Sequence, residues 1–111
     1  MNTTKKLFTI KNIDKIKHYE FDRYIVESAE LSDLDSIVYK FKLLDKRDMK
    51  STVTIKLSRV INESFKKNLG KLGVIVSPNG QPRKISWIDK DDVSSPYNFL
   101  KKIIHILETQ K

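Results

Sequence analysis

The stretch VIVSPNGQPRKISWI, residues 74–88, sets two apolar arms on either side of a turn rich in Pro, Asn and Gly. Pro78 fixes φ at the second turn position, and Asn79 and Gly80 tolerate positive φ. The chain is therefore expected to reverse here as a β-hairpin, with Val74–Val76 as one arm and Lys84–Ile88 as the other. Pro82 has no N–H to donate, so pairing should stop short of the tip and leave residues 77–84 projecting as a loop. Ile85 and Trp87 share one face of the second arm, and one face must be buried, which places Trp87 in the core. A chain of 111 residues, 39% hydrophobic, leaves room for a single domain around this hairpin.

A second firm element lies near the C-terminus. In SSPYNFLKKIIHILETQK, Ser95 suits an N-cap and Pro96 the first helical position. Leu100, Ile103, Ile104 and Leu107 make a broad apolar face, widened by Phe99 and Ile106. A helix over 95–110 follows, free to dock on the domain or to pair with a second copy as a homodimer. Between the N-terminus and the hairpin the periodicity is less decisive. Residues 31–48, LSDLDSIVYKFKLLDKRD, place Leu31, Leu34, Ile37, Val38, Phe41 and Leu44 at helical spacing, and Ser32 with Asp35 resembles a capping box. Ile37, Tyr39, Phe41 and Leu43 also alternate, as in a strand that would pair with STVTIKL, residues 51–57. We read a helix over 32–46, with the strand as the alternative. TVTIK, residues 52–56, reads as a strand, and LSRVIN follows with Ser58 as an N-cap. In SFKKNLGKLG, Ser64 is an N-cap, Phe65, Leu69 and Leu72 form a buried stripe and Gly73 is the stop. Gly70 is awkward in that helix, where glycine costs about 1 kcal/mol relative to alanine.

The charge is unevenly spread. The net charge is +8, which points to a polyanionic partner, nucleic acid first. Residues 18–35 carry Glu20, Asp22, Glu27, Glu30, Asp33 and Asp35 against Arg23 alone, a net of −5. Residues 64–88 carry Lys66, Lys67, Lys71, Arg83 and Lys84 without an acid, a net of +5. Such segregation suggests a charge-selected face.

The order helix, strand, short helix, second helix, hairpin resembles the winged helix-turn-helix family. TIKLSRVINESFKKNLGKLGVIVSPNGQPRKISWI is similar to its helix 2, turn, recognition helix, wing and closing strand. The element order is also similar to that of relaxosome accessory winged-helix proteins of conjugative plasmids. The resemblance implies an α+β fold: a winged helix-turn-helix core over 31–88, residues 1–30 as an N-terminal extension packed on it, and the extra C-terminal helix. It implies double-stranded DNA binding by a small accessory or regulatory protein of a mobile genetic element, serving conjugation, replication or transcription control. Ser64, Lys66, Lys67, Asn68 and Lys71 would present the recognition helix to DNA. Ser77, Asn79, Gln81, Arg83 and Lys84 would form a wing suited to a narrow, A·T-rich minor groove. Lys56 and Arg59 would reach flanking phosphates. Arg83 is the strongest single candidate, because the turn does not require it, and Arg83→Ala should weaken binding more than Lys71→Ala.

Two other classes fit the same residues. If 36–44 pairs with 51–57, the chain is a β-hairpin-rich α+β domain. It would then be a protein-interaction module, such as a phage inhibitor or an immunity protein, with 18–35 as its contact face. Alternatively it binds single-stranded nucleic acid, with Tyr19, Tyr24, Tyr39 and Trp87 stacking on bases. Catalysis is not expected. The chain has no cysteine, His18 and His105 are isolated, and no phosphate loop, nucleophile elbow or metal motif occurs. DKDD, residues 89–92, lacks the glycine and terminal glutamate of a calcium loop. No cofactor and no metal are implied. No run suits a membrane span and no apolar segment follows the N-terminal lysines, so a cytoplasmic protein is expected.

Overall fold

In the computed structural model, residues 7–10, 13–32, 38–93 and 95–109 are described. Their main feature is a six-stranded sheet in which each strand pairs antiparallel with the next in sequence. The strands are β1 (Glu20–Phe21), β2 (Tyr24–Ser32), β3 (Val38–Asp45), β4 (Asp48–Ser58), β5 (Lys71–Pro78) and β6 (Ser86–Asp89). One helix, α1 (Pro96–Thr109), follows.

Strict alternation builds the core. Tyr39, Phe41 and Leu43 of β3, Val53, Ile55 and Leu57 of β4, and Leu72, Val74 and Val76 of β5 are all buried. Their odd-and-even neighbours Lys40, Lys42, Lys56, Gly73 and Ile75 fall on the opposite face, as a period of two requires. Helix α1 lays Phe99, Leu100, Ile103, Ile106 and Leu107 on the inner face, and the Phe99 ring sits 5.0 Å from that of Phe41. The result is a two-layer domain, one sheet and one helix around a single core. An irregularity between Val26 and Ser28 shifts the β2–β3 register at Glu27, the behaviour of a β-bulge. The Tyr39 hydroxyl, inside the core, accepts a 2.9 Å hydrogen bond from the Ile10 N–H and ties the N-terminal segment down.

This architecture replaces the winged helix-turn-helix expected from the sequence. That fold needs several helices, and α1 is the only α-helix among the described residues. The helix expected over 32–46 is strand β3. Its alternating set of Tyr39, Phe41 and Leu43 prevailed over the helical set because β2 and β4 pair with it on both sides. Residues 33–37, which include Leu34, Asp35 and Ile37 of that reading, lie outside the described residues. The expected helix beginning at Ser58 is extended chain, since β4 runs through Ser58. The expected recognition helix at 64–73 is a loop holding one 3₁₀ turn, Lys66–Asn68, and Gly73 lies inside β5 rather than at a helix end. Gly70 has φ +80°, which ends this loop and suits glycine. A hairpin and a C-terminal helix do form, but β5 runs to Pro78 and pairs 71–74 with 86–89 rather than 74–76 with 84–88, so Ser77 lies in a strand and not in the expected loop; the β-rich α+β alternative fits the chain better. The helix spends its apolar face on its own sheet. No helix of the described residues is long and apolar enough to cross a membrane.

Candidate functional site on the outer face of the sheet

The face of the sheet turned away from α1 carries the densest combination of exposed aromatic and basic side chains. Gly73 and Trp87 are directly opposite on β5 and β6. A Cβ at Gly73 would meet the indole Cζ3 at 3.5 Å and Cη2 at 3.6 Å. The indole therefore lies over Gly73, at ordinary contact distance from where a Cβ would sit, and is half-buried on this face instead of entering the core as the sequence suggested. The Phe65 ring stands 6.1 Å from that of Trp87, at 59°. A cleft of about 530 Å³ runs beside them, with Val38, Ile75, Ile85 and Trp87 among its apolar walls and Asn62 and Ser64 at one end.

Asn62 explains how Phe65 comes to stand in solvent. It is 9% exposed, the one buried polar side chain among the described residues. Its Nδ2 donates to the carbonyls of Phe65 (3.2 Å) and Asn68 (2.9 Å). Its Oδ1 accepts from the N–H groups of Ser64 (2.9 Å) and Phe65 (3.1 Å). Its own N–H donates to Lys71 O, and its carbonyl accepts from the Gly70 N–H. All four hydrogen-bonding positions of the amide are thus used within one loop. The loop is fixed with Phe65 63% and Leu69 61% exposed, and with Lys66 and Lys67 beside them in solvent. The apolar stripe expected from Phe65, Leu69 and Leu72 is split: only Leu72 turns inward, as the first buried position of β5.

Basic residues surround this cluster. Lys40 and Lys56 are directly opposite on β3 and β4, and the next position across the row is Ile75. Both lysines are exposed and hold no ion pair among the described residues. Like charges directly opposite on a sheet are destabilising; on its other side Lys40 faces Glu30 of β2, which offsets part of the repulsion, while Lys56 faces only Lys40 and Ile75. Lys84 is exposed near the start of β6, Lys71 sits half-buried opposite Asp89, and Lys42 is bridged to Glu27 at 3.2 Å.

The other residues singled out in the sequence are placed differently. Ser77 is on β5 opposite Thr54, and Asn68 belongs to the Asn62 loop. Asn79, at φ 49°, is held to Thr52 twice: its N–H donates to Thr52 O and its Oδ1 accepts from the Thr52 N–H. Gln81 is exposed, with its N–H on Pro78 O. Arg83 folds back, and its Nη1 donates to Leu107 O in the last turn of α1 at 3.0 Å. Arg59 holds the N-terminal segment, its Nε donating to Phe8 O and its Nη2 to Thr9 Oγ1, both at 3.0 Å. Tyr24 and Tyr39 are buried, and Tyr19 packs on Phe21 and Tyr97 near the first strand, so of the four aromatic candidates only Trp87 lies on the basic face.

A second cleft, of about 550 Å³, opens at the hairpin ends and receives Arg23, Arg47 and Arg83. Asp22, Asp45 and Glu108 line it too, and Arg23 pairs with Asp45 at 3.4 Å, so the cleft is balanced in charge. The Arg23 pKa is raised above its ordinary value, chiefly by hydrogen bonding to Tyr24 and then by the charges of Tyr24, Asp45 and Asp22. Among the described residues no group of His, Asp and Glu could hold a metal ion. No protein-family model, curated protein or solved structure matches the chain, so the functional reading rests on this surface.

Proposed function

We propose that the protein binds single-stranded nucleic acid across the outer face of its sheet. Trp87, with Phe65 beside it, is the base-stacking platform, and Lys40, Lys56, Lys66, Lys67 and Lys84 contact phosphates. The observation that carries this reading is the half-exposed indole laid across Gly73 beside exposed lysines, of which Lys56, Lys66, Lys67 and Lys84 hold no ion pair among the described residues. A basic surface that follows the backbone, combined with aromatic rings that take bases, is the common design of sequence-tolerant single-strand binding. A duplex turns its bases inward, away from any such platform. The described residues also offer no helix on this face to enter a major groove.

The test uses the single tryptophan of the chain. Titration with oligo-dT should quench its fluorescence with micromolar affinity, and a duplex of equal length should bind more weakly. Trp87→Ala, followed by fluorescence anisotropy of a labelled oligonucleotide, should weaken binding by about 1–3 kcal/mol, or roughly 5- to 150-fold. Trp87→Phe should retain most of the affinity. An unquenched tryptophan with equal duplex and single-strand affinity would remove the platform from the proposal. A second reading follows from the apolar walls of the cleft and the exposure of Phe65, Leu69 and Ile85: a protein partner with an acidic, apolar segment. Absence of any oligonucleotide binding at low salt would favour it.

A further inference from the structure

The cleft beside Trp87, about 530 Å³, falls within the size range of sites that enclose small organic ligands. Apart from the indole its apolar walls are aliphatic: Val38, Ile75 and Ile85 on the sheet side, Val60 and Ile61 from the segment after β4. Two of its polar side chains are already engaged. The Asn62 amide is saturated within its loop, and Ser58 Oγ accepts from the Val60 N–H at 3.1 Å. A nucleobase stacked on the outside of the indole keeps its edge in water. One pushed into the cleft would leave donors and acceptors unpaired, at a cost. The space therefore suits an apolar body. Two charged residues line it, Lys56 on β4 and Glu63 on the loop, both exposed. Lys56 holds no ion pair among the described residues. From Lys56, Ile75 is one strand away and Trp87 two, or about 10 Å across the sheet. An extended chain covers about 3.5 Å in three bonds, so about eight bonds reach from Lys56 to the indole.

We propose that this cleft binds a small amphipathic carboxylic acid, its carboxylate on Lys56 and its hydrocarbon chain laid over Ile75 toward Ile85 and Trp87. The charged end and the apolar body each have a place, and the order of residues across the sheet sets the direction of the chain. A negative charge at Lys56 offsets the repulsion that this side chain meets from Lys40 across the β3–β4 pair. Glu63 stands on the loop rather than on the sheet, so the carboxylate is drawn to the strand side of the cleft. The site does not depend on the single-strand reading above. Where both hold, acid and strand share Trp87 and Lys56 and exclude each other.

The experiment follows Trp87 fluorescence during titration with hexanoate, octanoate, decanoate and dodecanoate, each below the concentration at which it self-associates. Affinity should rise roughly two- to fourfold per added methylene, the upper figure corresponding to full burial, and level off beyond decanoate. Octanol, which carries no charge, should bind about three- to fivefold more weakly than octanoate, as an exposed ion pair predicts. In Lys56→Gln the octanol affinity should stay and the advantage of octanoate should vanish. Absence of saturable binding across the series overturns the inference and leaves the cleft to a base of the strand or to a segment of a protein partner. Equal binding of octanoate and octanol by the wild type also overturns it, as does an advantage that survives Lys56→Gln. Oligo-dT binding is measured separately, so either reading can fail while the other stands.

Discussion

Asn62 shows how one side chain converts a loop into a presented surface. Its amide occupies the centre of the 62–71 loop, and every group it can offer is engaged. Without it, Phe65 and Leu69 would have no reason to stay in solvent, since collapse onto the sheet would bury more apolar area. Asn62→Ala should lower stability by about 1–3 kcal/mol in urea denaturation, the cost of leaving buried polar groups unpaired. It should also weaken oligonucleotide binding, and Asn62→Asp, which sets a buried carboxylate oxygen against the Phe65 and Asn68 carbonyls, should destabilise at least as much. Full oligonucleotide affinity in a destabilised Asn62→Ala would separate the loop from the binding face. The residue was not legible in the sequence, because an asparagine between Ile61 and Glu63 looks the same whether it faces solvent or organises a loop. Gly70 was legible as a misfit in a helix, and its φ of +80° gives the reason.

At the scale of elements, the sequence was most readable where one period stood without a rival. From Phe99 to Leu107 the apolar residues fit a helix alone, and α1 formed there; Pro78-Asn79-Gly80 left no alternative to a reversal. Residues 38–45 fit both periods, since Val38, Phe41 and Leu44 serve a helix as well as Tyr39, Phe41 and Leu43 serve a strand. Pairing with β2 and β4 decided between them, and such non-local pairing is invisible to a local pattern. In 64–72 the spacing of Phe65, Leu69 and Leu72 was helical by coincidence; the alternation of Leu72, Val74 and Val76 was the stronger signal. The hairpin itself was recognised, but its direction of packing was not. Arg83, expected to project as the tip of a wing, instead caps the helix at Leu107 O, where a cation is favoured by the helix dipole. Arg83→Ala should therefore lower the thermal midpoint, by about 1 kcal/mol of stability, and leave oligonucleotide affinity unchanged. A large loss of affinity at unchanged stability would restore the wing to the binding surface.

For the whole molecule, the distribution of charge sets stability and binding against each other. Lys56 is opposed to Lys40 across β3 and β4, with Ile75 on its other side, while Lys40 also faces Glu30; the repulsion at Lys56 weakens the sheet, yet on the proposed reading both lysines neutralise phosphates. The five lysines of the binding face give an expected slope of log K against log salt of about −3.5 for single strands, a fall of roughly 100-fold in affinity between 50 and 200 mM salt. Lys56→Gln should reduce the steepness of that slope by about 0.7. Because the same change removes a like-charge pair, it should also raise the midpoint of thermal unfolding, by a few tenths of a kcal/mol to about 1 kcal/mol of stability. The two effects have opposite signs, and that is what makes the measurement decisive. A structural role for the row predicts that stability falls with substitution and the salt slope stays fixed. A binding role predicts a more stable protein that holds its ligand less tightly and senses salt less.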